Sequence, residues 1–395
     1  MKYMGSKSTL LGGKLGDILL EEAADGHRFV DLFAGSGAVA HFMAQRTKLP
    51  VLGVDLQEYA RLFAASVIER TSSLAGDPSL AAWSALEEPA DGDPPDQDPL
   101  TAARVWSARV DARETTGGFI TRHYGGHYFS LSQARTLDGL YETLPATEPA
   151  RTVAMAALLR AASVCAAAPG HTAQPFQPTD RLLPYIEQAW SRNVKAVVSA
   201  AVEQLTTTFA RTKGKAIVGE AEAVAATLSE GDLVFCDPPY SAVQYSRFYH
   251  VLEGIARGGW DEVSGNGRAP ARVSRKTSDF SMKSKAPRAM KALLAELHKS
   301  RCRVIITFPN ANASNGLSGQ DIIAMAVDDW AVEPHYVESV HSTLGGSNDG
   351  GLRGGRKKLK EAVIVLTPRP SLVRTASPVQ PIASETHRRD ASALT

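Results

Sequence analysis

The chain has 395 residues, of which 43 are Lys or Arg and 42 are Asp or Glu, leaving a formal net charge of +1. At roughly 150 residues per domain this gives room for two or three domains, and the near-neutral balance, with 44% hydrophobic and 22% charged residues, excludes a polycation and a wholly disordered, collagenous or coiled-coil chain. Cys165, Cys236 and Cys302 form neither a disulfide framework nor a paired zinc spacing, MKYMGSKSTL lacks the apolar core of a secretory signal, and Arg160 interrupts the short apolar run VAMAALLRAASVCAAA, so a cytoplasmic protein without a membrane partner is expected.

In chain order, FVDLFAGSGAVA (29–40) begins as a buried strand, turns through glycines and runs into the helical stretch HFMAQR. A second short strand, VLGVDL (51–56), ends near Asp55 and leads into another helix, which predicts a parallel βαβ unit. The stretch LEEPADGDPPDQDPL (86–100), with six acids and four prolines, reads as a solvated loop. From about 101 to 212, Ala-rich helical stretches surround HYGGHYFS (123–130), an insertion with its own task. Short strands return at KAIVGE (215–220), GDLVFCDPPY (231–240), RCRVIITFPN (301–310) and EAVIVLTP (361–368). Beyond Pro368 the Pro, Ser, Thr and Arg composition predicts a disordered tail.

Two motifs carry chemistry. In DLFAGSGAVA, Gly35 and Gly37 permit a tight turn that brings backbone N–H groups near a ligand at a helix start. Alone, this turn fits a nicotinamide dinucleotide, another nucleotide cofactor or a plain structural turn. Asp55, ending the next strand, suits ribose hydroxyls; the other reading is capping of the following helix. The second motif, Asp237-Pro238-Pro239-Tyr240, follows a strand that must be central. Two prolines fix a turn without N–H donors, so the Asp237 carboxylate and backbone carbonyls offer acceptors to an NH2 group, with the Tyr240 ring as a stacking face. The other reading of DPPY is a strand-ending turn with a buried Tyr.

Weaker signals carry less. Gly125 and Gly126 between His123 and His127 argue against one helix presenting both to zinc, and no metal is expected. GSKST lacks the spacing of a phosphate loop, and Ser36 lacks that of a hydrolase elbow.

In order, KYMGSK (2–7), DLFAGSG (31–37), VDL (54–56) and DPPY (237–240) resemble the Dam-like DNA adenine N6-methyltransferases, over roughly residues 1–366. The resemblance implies an α/β, Rossmann-like, doubly wound and mostly parallel seven-stranded sheet with a largely helical insertion. It divides the chain into a catalytic domain of 1–71 and 213–367, a target-recognition insertion of 72–212, and the tail 368–395. It implies S-adenosylmethionine (SAM) as cofactor, held by Tyr3, Lys7, Asp31, Phe33, Gly35, Gly37, Asp55 and Glu220, and catalysis by Asp237, Pro238, Pro239 and Tyr240. KYMGSK departs from the usual KWAGGK by Tyr for Trp and Ser for Gly, which bears on Tyr3 and Ser6.

The implied substrate is adenine in double-stranded DNA, flipped into the site; a cognate restriction endonuclease is a further partner where the enzyme serves restriction-modification. Two basic stretches suit DNA phosphates: 268–288, with Arg272, Arg275 and Lys276, and 353–360, with Arg356, Lys357 and Lys358. Either is also compatible with a solvated charged face. N4 of cytosine is the nearest alternative target, although the Asp of DPPY leans to adenine; a nicotinamide oxidoreductase is the alternative of another class.

Overall fold

The computed structural model describes residues 7–86, 99–341 and 357–369. Tyr3, Arg356, most of the acidic, proline-rich stretch and nearly all of the expected tail lie outside the described residues.

The strands are β1 (Arg28–Asp31), β2 (Val51–Asp55), β3 (Lys215–Val218), β4 (Asp232–Cys236), β5 (Arg303–Pro309), β6 (Trp330–His341) and β7 (Lys357–Pro368), forming one sheet in the order β3-β2-β1-β4-β5-β7-β6. β1 to β5 pair in parallel, whereas β7 runs antiparallel to both β5 and β6. The mostly parallel seven-stranded sheet that the resemblance implies is therefore present.

Strand alternation sets up two faces. Phe29, Val51, Leu233, Phe235 and Ile305 pack on one side with Leu15, Val39 and Met43, which come from α1 (Lys14–Glu22) and α2 (Ala38–Arg46). Val30, Val54, Val234, Val304 and Ile306 point the other way, against Met290, Leu293 and Leu297 of the helix Ala286–Lys299. Burial on both faces explains the nearly continuous apolar runs of β4 and β5, as expected of parallel strands under two helical layers.

Between α3 (Glu58–Ile68) and β3 the described residues contain helices and no strand. The longest of these helices, Ala150–Cys165, is apolar nearly all round and almost wholly buried. It packs against α3 and the helix Val194–Thr207, and it shares one core with Phe248, Val251 and Leu252 downstream of the DPPY segment. The apolar run that is too short for a bilayer is thus the axle of a helical layer docked on the sheet. Arg70 binds the two ends of this insertion together: its guanidinium donates to the carbonyls of Ser66, Ser72, Leu205 and Thr208. No described helix is long and apolar enough to cross a membrane.

The chain winds outward from β1 to β3 on one side, then returns to begin β4 on the other side of β1. The carboxyl ends of β1 and β4 therefore flank the reversal of strand order, where open α/β sheets leave a crevice. Asp31 pairs with Phe235 there, so the glycine turn and DPPY emerge side by side.

Candidate active site

The crevice opens into a cavity of about 340 Å³. Lys7, Asp31, Phe33, Gly35, Asp55 and Glu220 all line it, as do Asp237 and Pro239. Residues expected from five separate stretches of sequence thus meet at one place. Gly37, Pro238 and Tyr240 do not line it; Pro238 is buried and Tyr240 half-buried, with its ring edge-on to Phe308 at 6.3 Å between centroids.

The turn after β1 needs its glycines for conformation and for room. Gly35 and Gly37 have φ of 50° and 75°, in the left-handed region. A Cβ on Gly37 would stand 2.9 Å from His41 Nε2 and 3.3 Å from the Ala64 backbone N. His41 Nε2 lies 2.7 Å from the Phe63 carbonyl, and burial pulls its pKa down to about 4, so a neutral ring donates that bond at pH 7.

Asp55 ties the glycine turn to the start of the next helix. Its Oδ2 accepts from the Gly35 N–H at 2.9 Å, bracing the glycine turn, and its Oδ1 accepts from Gln57 N–H at 3.0 Å at the start of α3. Each oxygen keeps a lone pair for a further donor. Burial pushes its pKa up to about 6 despite these bonds, and Asp31, only 1% exposed, is pushed to about 8 chiefly by burial. Two acids of raised pKa thus line the cavity. The structure adds Glu222 beside Glu220, with burial again raising its pKa.

Asp237 follows directly on β4 and is held from two sides. Thr307 Oγ1 of β5 donates to its Oδ1 at 2.9 Å, and Lys7 Nζ lies 2.8 Å from the same oxygen. Lys7 also lies 2.7 Å from Glu361 Oε1 on β7. Lys7 is 4% exposed, Glu361 1% and Asp237 17%. Burial alone lowers the Lys7 pKa, but the two carboxylates more than offset it, so the ammonium is retained. Asp237 is raised by burial and by Glu361, against the opposing pull of Lys7. Lys7, expected beside the cofactor, lines the cavity and is also the cation of the DPPY acid.

The segment after DPPY is fixed by amides. Asn315 Nδ2 donates to the Pro239 carbonyl at 2.9 Å and to the Phe280 carbonyl at 3.0 Å. Gln244 exchanges two bonds with the Ser278 backbone, at 2.9 and 2.7 Å. Phe280 stands edge-on to Phe33, with ring centroids 5.3 Å apart. In this way 276–280 becomes a wall of the cavity, and Lys276, expected on DNA phosphate, belongs to that wall. Arg272 and Arg275 sit just before it at a short 3-10 turn, Arg272–Ser274, and do not line the cavity. Lys357 and Lys358 lie at the start of β7, paired with His341 and Val340.

Thr307, Glu361, Asn315 and Gln244 were not singled out from the sequence. Only Glu361 leaves a signal there: an acid opening the apolar run EAVIVLTP, which must be buried in the sheet.

Comparison with known proteins agrees with this geometry. The sequence profile of the D12 class N6 adenine-specific DNA methyltransferases matches residues 3–91 and 187–305, more than half of the chain. Modification methylase LlaI of Lactococcus lactis subsp. lactis is 23% identical over 376 residues, which is 92% of this chain and 54% of that protein. The chain thus spans about half the length of the curated relative it matches. The unmatched stretch of the profile, 92–186, falls within the helical insertion, and both matched parts carry the strands and loops that build the cavity. The chain therefore belongs to the D12 class N6 adenine-specific DNA methyltransferase family.

Proposed function

We propose that this protein transfers the methyl group of SAM to the exocyclic N6 amino group of adenine in double-stranded DNA, after flipping the base into the crevice. The observation that carries this reading is the Asp237 carboxylate, fixed by Thr307 and Lys7 in the wall of a cavity that Asp31 and Asp55 also line.

The residues fit the cofactor. The cavity lies at the lower end of the roughly 300–1,000 Å³ usual for small-molecule sites. Asp31, buried, and Asp55, half-buried, suit the amino group and hydroxyls of a cationic, ribose-bearing molecule. The bound donor supplies a methyl group on a sulfonium, already activated as an electrophile.

The protein's part is played on the nucleobase. The lone pair of an exocyclic amine is delocalised into its ring and must be localised before nitrogen attacks carbon. Asp237, accepting a hydrogen bond from that amine, favours the pyramidal nitrogen and the positive charge growing on it, a stabilisation specific to the transition state. The Pro238 carbonyl, expected as a second acceptor, belongs to a buried residue that does not line the cavity, and the Pro239 carbonyl is already engaged by Asn315. The N–C bond forms as the C–S bond breaks, with its electron pair going to sulfur, and the methylated amine then gives up one proton to water. Fixing donor and acceptor in line contributes on the order of 7–11 kcal/mol in favourable cases.

The helical insertion is assigned to reading the DNA sequence, and the 268–288 stretch to its phosphates. The protein is placed in the cytoplasm. By analogy with a relative named as a modification methylase, it serves beside a cognate restriction endonuclease.

Incubating the purified protein with methyl-labelled SAM and duplex DNA, then digesting to nucleosides, tests the reading. N6-methyladenine is the expected product. N4-methylcytosine overturns the choice of base, and stabilisation of the fold by NAD but not by SAM overturns the reaction class.

A further inference from the structure

Lys7 stands between two carboxylates rather than one, and only Asp237 borders the cavity. Glu361 is nearly inaccessible, on the antiparallel strand β7, and comes no nearer to a substrate than through Lys7. A buried acid at this position is costly unless it is paired. We propose that Glu361 is a positioning residue for methyl transfer: it aligns Lys7 on Asp237 and counterbalances the ammonium, so that Asp237 keeps its strength as an acceptor. The inference rests on the function proposed above.

The charge balance gives the reason. Lys7 with Asp237 alone is a neutral pair, and a carboxylate neutralised by an ammonium at 2.8 Å is a weak acceptor for an amine that is gaining positive charge. With Glu361 added, the group of three carries one net negative charge close to the reacting centre. Thr307 adds a hydrogen bond on Asp237 Oδ1 without changing that charge. Among the described residues the other titratable groups that sense Asp237 are Asp31, Cys236, Tyr240 and Tyr245; burial raises the pKa of each, so both tyrosines and the thiol stay neutral at pH 7. Asp31 gains charge only toward pH 8. Glu361, 2.7 Å from Lys7 Nζ, is therefore the acid placed to offset that ammonium.

Glu361→Gln keeps the shape and removes the charge. Asp237 then sits beside Lys7 alone and becomes more acidic, so the acid limb of the kcat profile moves down by about one pH unit while kcat at its plateau falls about tenfold. Binding also reports the charge, independently of turnover: the variant loses affinity for cationic SAM more than for the neutral thioether product, S-adenosylhomocysteine. A merely structural role weakens both ligands alike and leaves the limb in place. Lys7→Met acts in the opposite direction and moves the acid limb up. Glu361→Asp retains the charge and the position of the limb, with a smaller loss of kcat; it keeps the proposal testable should the Gln variant not fold in a thermal melt. An unmoved acid limb in folded Glu361→Gln overturns the inference. So does a limb displaced by about a unit in Glu361→Asp. Failure of the wild type to methylate any DNA overturns the proposed function instead.

Discussion

Asp31 shows what a single residue costs until its ligand arrives. Its pKa is ordinarily near 4 and stands at about 8 in the fold, because burial penalises the charged form. Between those values the folded chain holds a proton that the unfolded chain has lost, so this residue's contribution to stability falls as pH rises through the window. Asp31→Asn removes the penalty. The cofactor-free variant is expected to melt at least about 2 °C above wild type at pH 8, with the gap closing toward pH 4, as calorimetry checks. The same variant should bind SAM at least about tenfold more weakly, because a cation favours the ionised form. For the same reason, wild-type affinity for SAM should climb between pH 6 and 8, with proton release visible in titration calorimetry. The proposed role of Asp237 lies on the acceptor base instead: Asp237→Ala is expected to lower methyl transfer about 100-fold or more while SAM still binds. Transfer near the wild-type rate would remove Asp237 from the reaction.

At the scale of elements, the glycine turn joins sequence to site most tightly. Gly37→Ala asks an L residue to hold φ of 75° with its Cβ against His41 and the Ala64 backbone. A lowered melting temperature together with weaker SAM binding is expected; an unchanged melt would show that α2 and α3 yield easily. This turn was legible because strand, glycines and helix are consecutive in the chain. DPPY was legible for the same reason. What escaped were residues that act across the sheet: Thr307 is 70 positions from Asp237, and Asn315 is 76 from Pro239. Nothing in their local sequence separates them from any Thr in a strand or any Asn in a turn. β6 escaped as a strand because Pro334 sits within it, which its place at the edge of the sheet tolerates. Grouped with its basic neighbours in sequence, Lys276 also stands on the cavity wall, because Gln244 and Asn315 hold 276–280 there.

For the molecule as a whole, a net charge of +1 leaves DNA binding to local concentrations of cations. One is present where the 3-10 turn meets the cavity wall: Arg275 has its pKa lowered by partial burial and by its neighbours Arg247 and Arg272. Replacing Arg272 or Arg275 by Ala should weaken binding to specific and unrelated duplexes alike, and should reduce the slope of log affinity against log salt by about one each, as fluorescence anisotropy measures. An unchanged slope would move the phosphate contacts elsewhere. The carboxyl ends of the sheet strands and the segment after the basic turn meet at the crevice that Asp237 lines, where the proposed reaction places the amine. A ternary structure with SAM or an inert analogue and a duplex carrying the methylated site tests that most directly. The expected result is an extruded adenine whose N6 lies about 3 Å from Asp237 and faces the donor methyl group. An adenine still stacked in the duplex, or Asp237 turned away from the sulfur, would contradict it.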